Sequence, residues 1–435
     1  MHFVKSQYSL LCSILILLLS ACGLNEIQLD QGPTQTMPPN PIEEEPSTTP
    51  VPTSINGFHN FLANTLPLAL TERQESVNLY SAQIESFPLI AENRVVFLWR
   101  GEGQSVQLVG DMNSWKPDPE EQLTHLDGTD LWYLESEYEI NARLDYQFLT
   151  DNSEKRLDPL NPHLQMSSAG LNSVLVMPGY ISMIDELPAD IEIPRGTLST
   201  HTIDSENLQQ TRTLFIYTPP GQLVGQQLPS VYINDGSDYL NLIDAPLILD
   251  KLIGHRLLSP LVAVFIPPIS RYPEYDLNDS YVKFLADEVV PYVQDNYDTD
   301  MDPARTAVMG ASMGGRAALY AALERPEVFG LAASQSGAVT DVGDSLLAAF
   351  DRENQATSIE GQTNARFKPY LVVGSYETAV GQTGRGADFA AGNRILAEKM
   401  RKAGYSLVYE EFPEGHSWGL WQNTLGRALD ALFNP

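Results

Sequence analysis

The stretch Thr306-Ala307-Val308-Met309-Gly310-Ala311-Ser312-Met313-Gly314-Gly315 constrains the fold of this chain more than any other. A short apolar run enters a Gly-x-Ser-x-Gly sequence, and a helix-forming segment, 316–324, follows it. A strand that turns sharply into a helix at such a serine pushes the hydroxyl out above the sheet. Gly310 and Gly314 stand where a side chain would meet the neighbouring strand or helix, and glycine tolerates that approach. Gly-x-Ser-x-Gly alone is common by chance. Set between a strand and a helix, it predicts a nucleophilic serine at 312 rather than a small-residue loop.

A serine hydroxyl attacks only when a histidine takes its proton and an acid orients that histidine. The order serine, acid, histidine along a chain is that of the α/β-hydrolase fold. After Ser312 the chain holds a single histidine, His416, in Pro413-Glu414-Gly415-His416-Ser417-Trp418. It lies between a strand-like run, 406–412, and a C-terminal helix expected to begin near Gly419. For the acid, the apolar strand Tyr370-Leu371-Val372-Val373 ends at Gly374-Ser375-Tyr376-Glu377, which favours Glu377. Asp388, in the glycine-rich stretch 381–392, competes with it. An oxyanion hole needs two backbone N–H groups. Met313 supplies one by its place after the nucleophile. The other is expected from Ser237, in the loop Asn234-Asp235-Gly236-Ser237 after the strand 229–233.

With these residues in hand, the chain from about 200 onward resembles an esterase family that includes enterochelin esterase, feruloyl esterases, S-formylglutathione hydrolase and the mycolyltransferases. The matching marks are Tyr232-Ile233-Asn234-Asp235-Gly236, Arg271-Tyr272-Pro273-Glu274-Tyr275, Phe284-Leu285-Ala286-Asp287-Glu288, Gly310-Ala311-Ser312-Met313-Gly314-Gly315 and Gly415-His416-Ser417-Trp418. The resemblance implies Ser312, His416 and an acid at or near Glu377 as the catalytic set. Arg271 and Glu274 either pair with each other near the site or contact substrate; Trp418 is a candidate of the same kind.

Upstream, 93–176 reads as short alternating strands, among them 94–99, 105–109 and 131–134, separated by turn signals. That is the pattern of a small β-sandwich. Gly110-Asp111-Met112-Asn113-Ser114-Trp115, Tyr146-Gln147-Phe148 and Asp158-Pro159-Leu160-Asn161-Pro162 resemble the immunoglobulin-like domain that precedes the catalytic domain of enterochelin esterases. They also resemble the glycogen-binding modules of branching enzymes. Trp115 and Trp132 therefore either stack on a sugar ring or serve as core and turn residues. Phe58, Phe61, Leu62 and Leu66 fall at roughly helical spacing, which predicts a helix packed on this domain.

The N-terminus sets the compartment. Lys5, an apolar run over 10–19 and Ser20-Ala21-Cys22 make a secretory signal, too short to span a bilayer. Leu19-Ser20-Ala21-Cys22 resembles the bacterial lipobox, which implies cleavage after 21 and acylation of Cys22. The only other cysteine, Cys12, leaves with the leader, so no disulfide or thiol chemistry is expected. The segment 22–56, rich in Pro, Thr and Glu, is expected to be a disordered tether. A net charge of −30 argues against nucleic acid or anionic lipid as partners. No phosphate loop, zinc-ligand cluster or calcium loop is written in the sequence, so no cofactor is implied, and the oligomeric state is left open.

The expected architecture is an α/β-hydrolase catalytic domain over 195–435, preceded by a small all-β sandwich with a leading helix over 57–185. The expected function is serine ester hydrolysis in a lipid-anchored envelope protein. Domain order favours a catecholate siderophore ester, as in enterochelin esterase. A feruloyl or acetyl polysaccharide esterase stays close behind. An acyltransferase and a non-catalytic glycan-binding lipoprotein remain as further readings.

Overall fold

The computed structural model describes residues 54–84, 87–183, 192–221, 225–358, 367–381 and 386–434. The leader, Cys22 and the tether up to residue 53 lie outside the described residues. The elements below belong to one unit of the chain. Among the described residues no helix is long and apolar enough to cross a membrane.

Two helices come first. α1 (Ile55–Thr65) is capped by Ser54, whose hydroxyl accepts from Gly57 N–H at 3.1 Å. Its buried Ile55, Phe58 and Phe61 recur every third residue and form one apolar stripe. The helix begins inside the stretch 22–56 assigned to the tether, because Ser54 offers a cap and Ile55 starts the stripe. α2 (Leu70–Ser81) is a helix that the sequence pattern does not predict. It buries only Val77 and Tyr80, so it shows no apolar periodicity. Tertiary contacts hold it instead: Tyr80 stacks on Phe61 at 4.0 Å, and Gln74 donates to Asp130.

The strands that follow are β1 (Leu89–Ala91), β2 (Arg94–Arg100), β3 (Val106–Gly110), β4 (Thr124–His125), β5 (Leu131–Glu137), β6 (Arg143–Thr150), β7 (Glu154–Arg156), β8 (Leu164–Ser167) and β9 (Gly170–Val176). They pair antiparallel in two sheets, β1-β2-β5-β4 and β3-β6-β9-β8, with β7 added to β6. Val95, Phe97 and Trp99 of β2 meet Leu108, Leu144, Tyr146 and Phe148 of the other sheet across a shared core. Val96 and Leu98, pointing the opposite way, meet Phe58, Phe61 and Tyr80 of the helices. β2 is buried on both faces, which is why it reads as an unbroken apolar run. The expected sandwich is present. The Tyr146 and Asp158–Asn161 marks form a buried network in it: Tyr146 OH donates to Asp158 at 2.7 Å, and Asn161 Nδ2 donates to Tyr146 OH and Val174 O.

The second half opens with the hairpin β10 (Thr197–Ser205) and β11 (Gln210–Thr218). Then come β12 (Ser230–Asn234), α3 (Gly236–Asn241), α4 (Ala245–Gly254), β13 (Val262–Ile266), α5 (Arg271–Tyr275), α6 (Asp279–Lys283), α7 (Val290–Tyr297), β14 (Thr306–Ala311) and α8 (Met313–Glu324). β15 (Leu331–Gln335), α9 (Ser345–Ser358), β16 (Lys368–Gly374), α10 (Phe389–Lys402), β17 (Val408–Phe412) and α11 (Trp418–Phe433) complete it. The eight strands run β10-β11-β13-β12-β14-β15-β16-β17, parallel from β13 onward. Tyr232, Val264 and Val308 face α7 and α8 on one side. Val231, Phe265 and Met309 face α4 and α11 on the other. Helices on both faces explain the near-continuous apolar strands. This is the α/β-hydrolase fold, and the carboxyl ends of β12, β14, β15, β16 and β17 open toward one crevice.

Candidate active site

Ser312 sits in the sharp turn between β14 and α8 with φ of 56°, in the left-handed region. The turn leaves no room at its glycines: a Cβ on Gly310 would stand 2.6 Å from the backbone of Gly314. Ser312 N–H donates to Gln335 O at 2.8 Å, which pins the turn to β15. Its Oγ lies 3.0 Å from His416 Nε2.

His416 follows β17, in the loop before α11, and its Nδ1 lies 2.7 Å from Glu377 Oε2. With Glu377 ionised, the Nδ1 proton points at the carboxylate and Nε2 is left to accept the Ser312 proton. Glu377 is 1 % exposed, and its second oxygen accepts from Ser336 Oγ at 2.6 Å and Gly374 N–H at 2.8 Å. Trp421 Nε1 donates to that same Ser336 hydroxyl at 2.9 Å, and the Trp421 ring stands edge-on to His416 at 5.0 Å. The acid beside the histidine is therefore Glu377. Asp388 caps α10, accepting from Ala391 N–H at 2.7 Å.

Met313 and Ser237 are the first and second residues of α8 and α3. First-turn N–H groups have no carbonyl within their helix to bond. The two helix starts are tied together, since Asn234 Nδ2 donates to Gly314 O at 2.9 Å while its Oδ1 accepts from Tyr281 OH at 2.7 Å. Of the two roles open to Arg271 and Glu274, pairing with each other does not occur. Arg271 instead makes a forked bond to Asp235 at 2.7 and 2.8 Å, neutralising a carboxylate whose pKa burial raises. Glu274 turns inward, accepts from Ile269 and Ser270 N–H, and takes its charge partner from buried Arg212 at 2.9 Å. Arg271 stays 42 % exposed at its side chain and faces the cleft.

That cleft, about 910 Å³, has Ser312 and His416 on its floor. Trp418 and Tyr376 line it from the hydrolase side, and Trp115, Lys116 and Gln147 from the sandwich. Trp115 donates its Nε1 to Asp111 at 3.0 Å. Trp132 belongs to the sandwich core: it is 5 % exposed, bonds Gly101 O, and one ring face is covered by His125 at 4.3 Å. The two tryptophans form no shared platform. Among the described residues no group of His, Cys, Asp or Glu is arranged to hold a metal.

Sequence reasoning missed Ser336 and Trp421, which support Glu377, and the whole contribution of the sandwich. Asp111 and Trp115 stood in a motif noted only as a mark of the domain, and nothing local singles out Arg143. Burial, then the Asp145 charge, push Asp111 well above the usual carboxylate range. Glu414, two residues before His416, is pushed up by burial to about 7.

Comparison with known proteins places the chain among esterases. Residues 205–432 match the family described as "Putative esterase", and 94–181 match "Enterochelin esterase, N-terminal". The iron(III) enterobactin esterase of Escherichia coli K12 is 27% identical over 382 residues, covering 78% of this chain and 91% of that one. An uncharacterized protein of Bacillus subtilis, YjcH, is 26% identical over 246 residues, 55% of this chain and 98% of that one. The crystal structure of ferric enterobactin esterase from Salmonella typhimurium shares the fold, with a TM-score of 0.66 at 21% identity, over 79% of this chain and 94% of that one. The chain thus belongs to that esterase family, carries the enterochelin esterase N-terminal domain ahead of its catalytic fold, and is a carboxylic ester hydrolase.

Proposed function

We propose that the chain is a serine esterase acting through Ser312, His416 and Glu377, with an ester of a catecholate siderophore as substrate. The observation that carries the catalytic assignment is the unbroken hydrogen-bonded line from Ser312 Oγ through His416 to Glu377, at 3.0 and 2.7 Å. Ser312 Oγ attacks the ester carbonyl while its proton passes to His416 Nε2. Glu377 steadies the imidazolium, and the N–H groups of Met313 and Ser237 hold the oxyanion. His416 then protonates the leaving alcohol. It next takes a proton from water, whose oxygen attacks the acyl-enzyme; the acyl–Oγ bond then breaks as His416 returns that proton to Ser312 Oγ, and the acid leaves.

Two features support the siderophore reading. The enterobactin esterase of E. coli aligns across most of both chains, and residues 94–181 match the enterochelin esterase N-terminal family. The cleft here is walled by both domains and has an aromatic residue, Trp115, on the sandwich side. The first experiment is hydrolysis of p-nitrophenyl butyrate by the full-length protein in detergent, beside Ser312→Ala. Loss of about 10⁴-fold is expected on removing the nucleophile. Activity unchanged in that variant would sink the assignment. A catecholate triester should then be cleaved faster than feruloylated or acetylated glycans, and the reverse order would replace the substrate reading with a polysaccharide esterase.

We also propose that Cys22 carries lipid and holds the enzyme in the bacterial envelope. The support is the leader and Leu19-Ser20-Ala21-Cys22. Cys22→Ala should abolish incorporation of labelled palmitate; label retained in the variant would refute the anchor.

A further inference from the structure

The loop that carries His416 is held on its outer side by buried charged residues of the sandwich, which the reaction as written does not use. Arg143, the first residue of β6, donates its backbone N–H to Pro413 O at 3.1 Å and forms a parallel bridge with Glu414. Its guanidinium Nη1 donates to Asp145 at 3.0 Å and lies 4.0 Å from the Glu414 carboxylate. The guanidinium also fills the space beside α11, where a Cβ on Gly419 would stand 1.9 Å from Nη1. Asp111 fills the space on the other side of the histidine. A Cβ on Gly415 would stand 2.0 Å from its Cγ, and its carboxyl is fixed by Asp145 N–H at 2.8 Å and by Trp115. The acid's loop is tied in the same way, since Tyr376, next to Glu377, packs on the sandwich core and bonds Glu139.

Buried charges are expensive unless paired, so such a cluster is weak evidence for stability as such. Its placement is what matters. Pro413, Glu414, Gly415 and Gly419 flank His416 on both sides, and each meets Arg143 or Asp111. A displacement of about 1 Å in a catalytic group costs on the order of 10²-fold in rate. We propose that Arg143 and Asp111 are positioning residues for His416, so that the hydrolase domain has a competent histidine only with the sandwich docked on it. The proposal rests on the reading that Ser312, His416 and Glu377 carry the reaction.

The test uses the full-length protein in detergent, with kcat and KM for p-nitrophenyl butyrate and the thermal midpoint for each variant. Arg143→Met should lower kcat by about 30- to 100-fold with KM within about twofold, and Asp111→Asn by about 10-fold. Arg143→Lys, which keeps the charge, should recover most of the loss. If Arg143→Met does not fold, Arg143→Met/Asp145→Asn removes the buried carboxylate that loses its hydrogen-bonded partner, and its kcat should still be low. Folded variants whose kcat stays within twofold of wild type, or whose loss lies in KM alone, overturn the proposal while Ser312-dependent activity remains. Wild-type activity that survives Ser312→Ala would remove the catalytic reading and the proposal with it.

Discussion

Ser336 Oγ, just past the end of β15, donates at 2.6 Å to Oε1 of Glu377, which follows the neighbouring strand β16. It reaches this place because the chain turns left-handed directly after β15, with φ of 49° at Ser336. Trp421 then closes the chain of bonds from α11. Ser336→Ala leaves the Trp421 N–H unpaired and Glu377 with one support fewer. Losing a buried partner of this kind costs about 1–3 kcal/mol. The expected result is a fall in kcat of about 10-fold and a lowered melting temperature, read by steady-state kinetics and calorimetry.

Glu377→Gln keeps the size of the side chain and removes the charge that fixes the Nδ1 proton of His416. A drop in kcat of about 10³- to 10⁴-fold is expected, because the amide can favour the wrong tautomer. Asp388→Ala, which removes only the cap of α10, should cost about 1 kcal/mol of stability and leave kcat nearly unchanged. The pair of variants, assayed side by side, separates the two acids.

Gly415→Ala would drive its Cβ to 2.0 Å from Asp111 Cγ, a contact that requires the histidine loop or β3 and its following turn to move. Overpacking in a tight interior costs about 1–3 kcal/mol. Denaturant midpoints should fall accordingly, and activity should fall further than stability alone accounts for.

Stability should also carry a pH signature at Glu414. Its folded-state pKa, about 7, lies above the usual 4.5, so the folded chain holds this proton more tightly than the unfolded one. Stability from this group is full below about 4.5 and is lost as pH rises toward 7. Burial sets it first, and the charges of Arg143, Asp145 and Glu377 act on the same carboxyl. Glu414→Gln should therefore gain on wild type by up to roughly 3 kcal/mol between pH 4.5 and 7. Melting temperatures across that range, showing a constant difference, would contradict it.

Ser312 and His416 were readable in the sequence because each sits in a short local pattern, a strand-turn-helix and a strand-loop-helix. Glu377 was readable as the carboxylate past a strand end, and its competitor Asp388 was separable only once it was seen capping α10. What stayed hidden depends on distant contacts. α2 has no apolar stripe, so its contacts with Phe61 and Asp130 explain it. Arg271 and Glu274 are three residues apart, yet each found a partner elsewhere, in Asp235 and Arg212. Gly415 and Gly419 look like ordinary flexible positions until Asp111 and Arg143 are placed beside them.

The clamp on the histidine loop joins residues 111 and 143 to residues 413–419, stretches separated by most of the hydrolase domain. Contacts so remote in the chain form late, since a long intervening segment must already be ordered to bring them together. The hairpins of the sandwich and the helices of the hydrolase need no such wait. A refolding chain should then regain its far-ultraviolet dichroism before it regains ester hydrolysis, with an interval in which secondary structure is complete and the enzyme is silent. Turnover in this protein reports the finished assembly, whereas spectroscopy of the backbone reports only its parts.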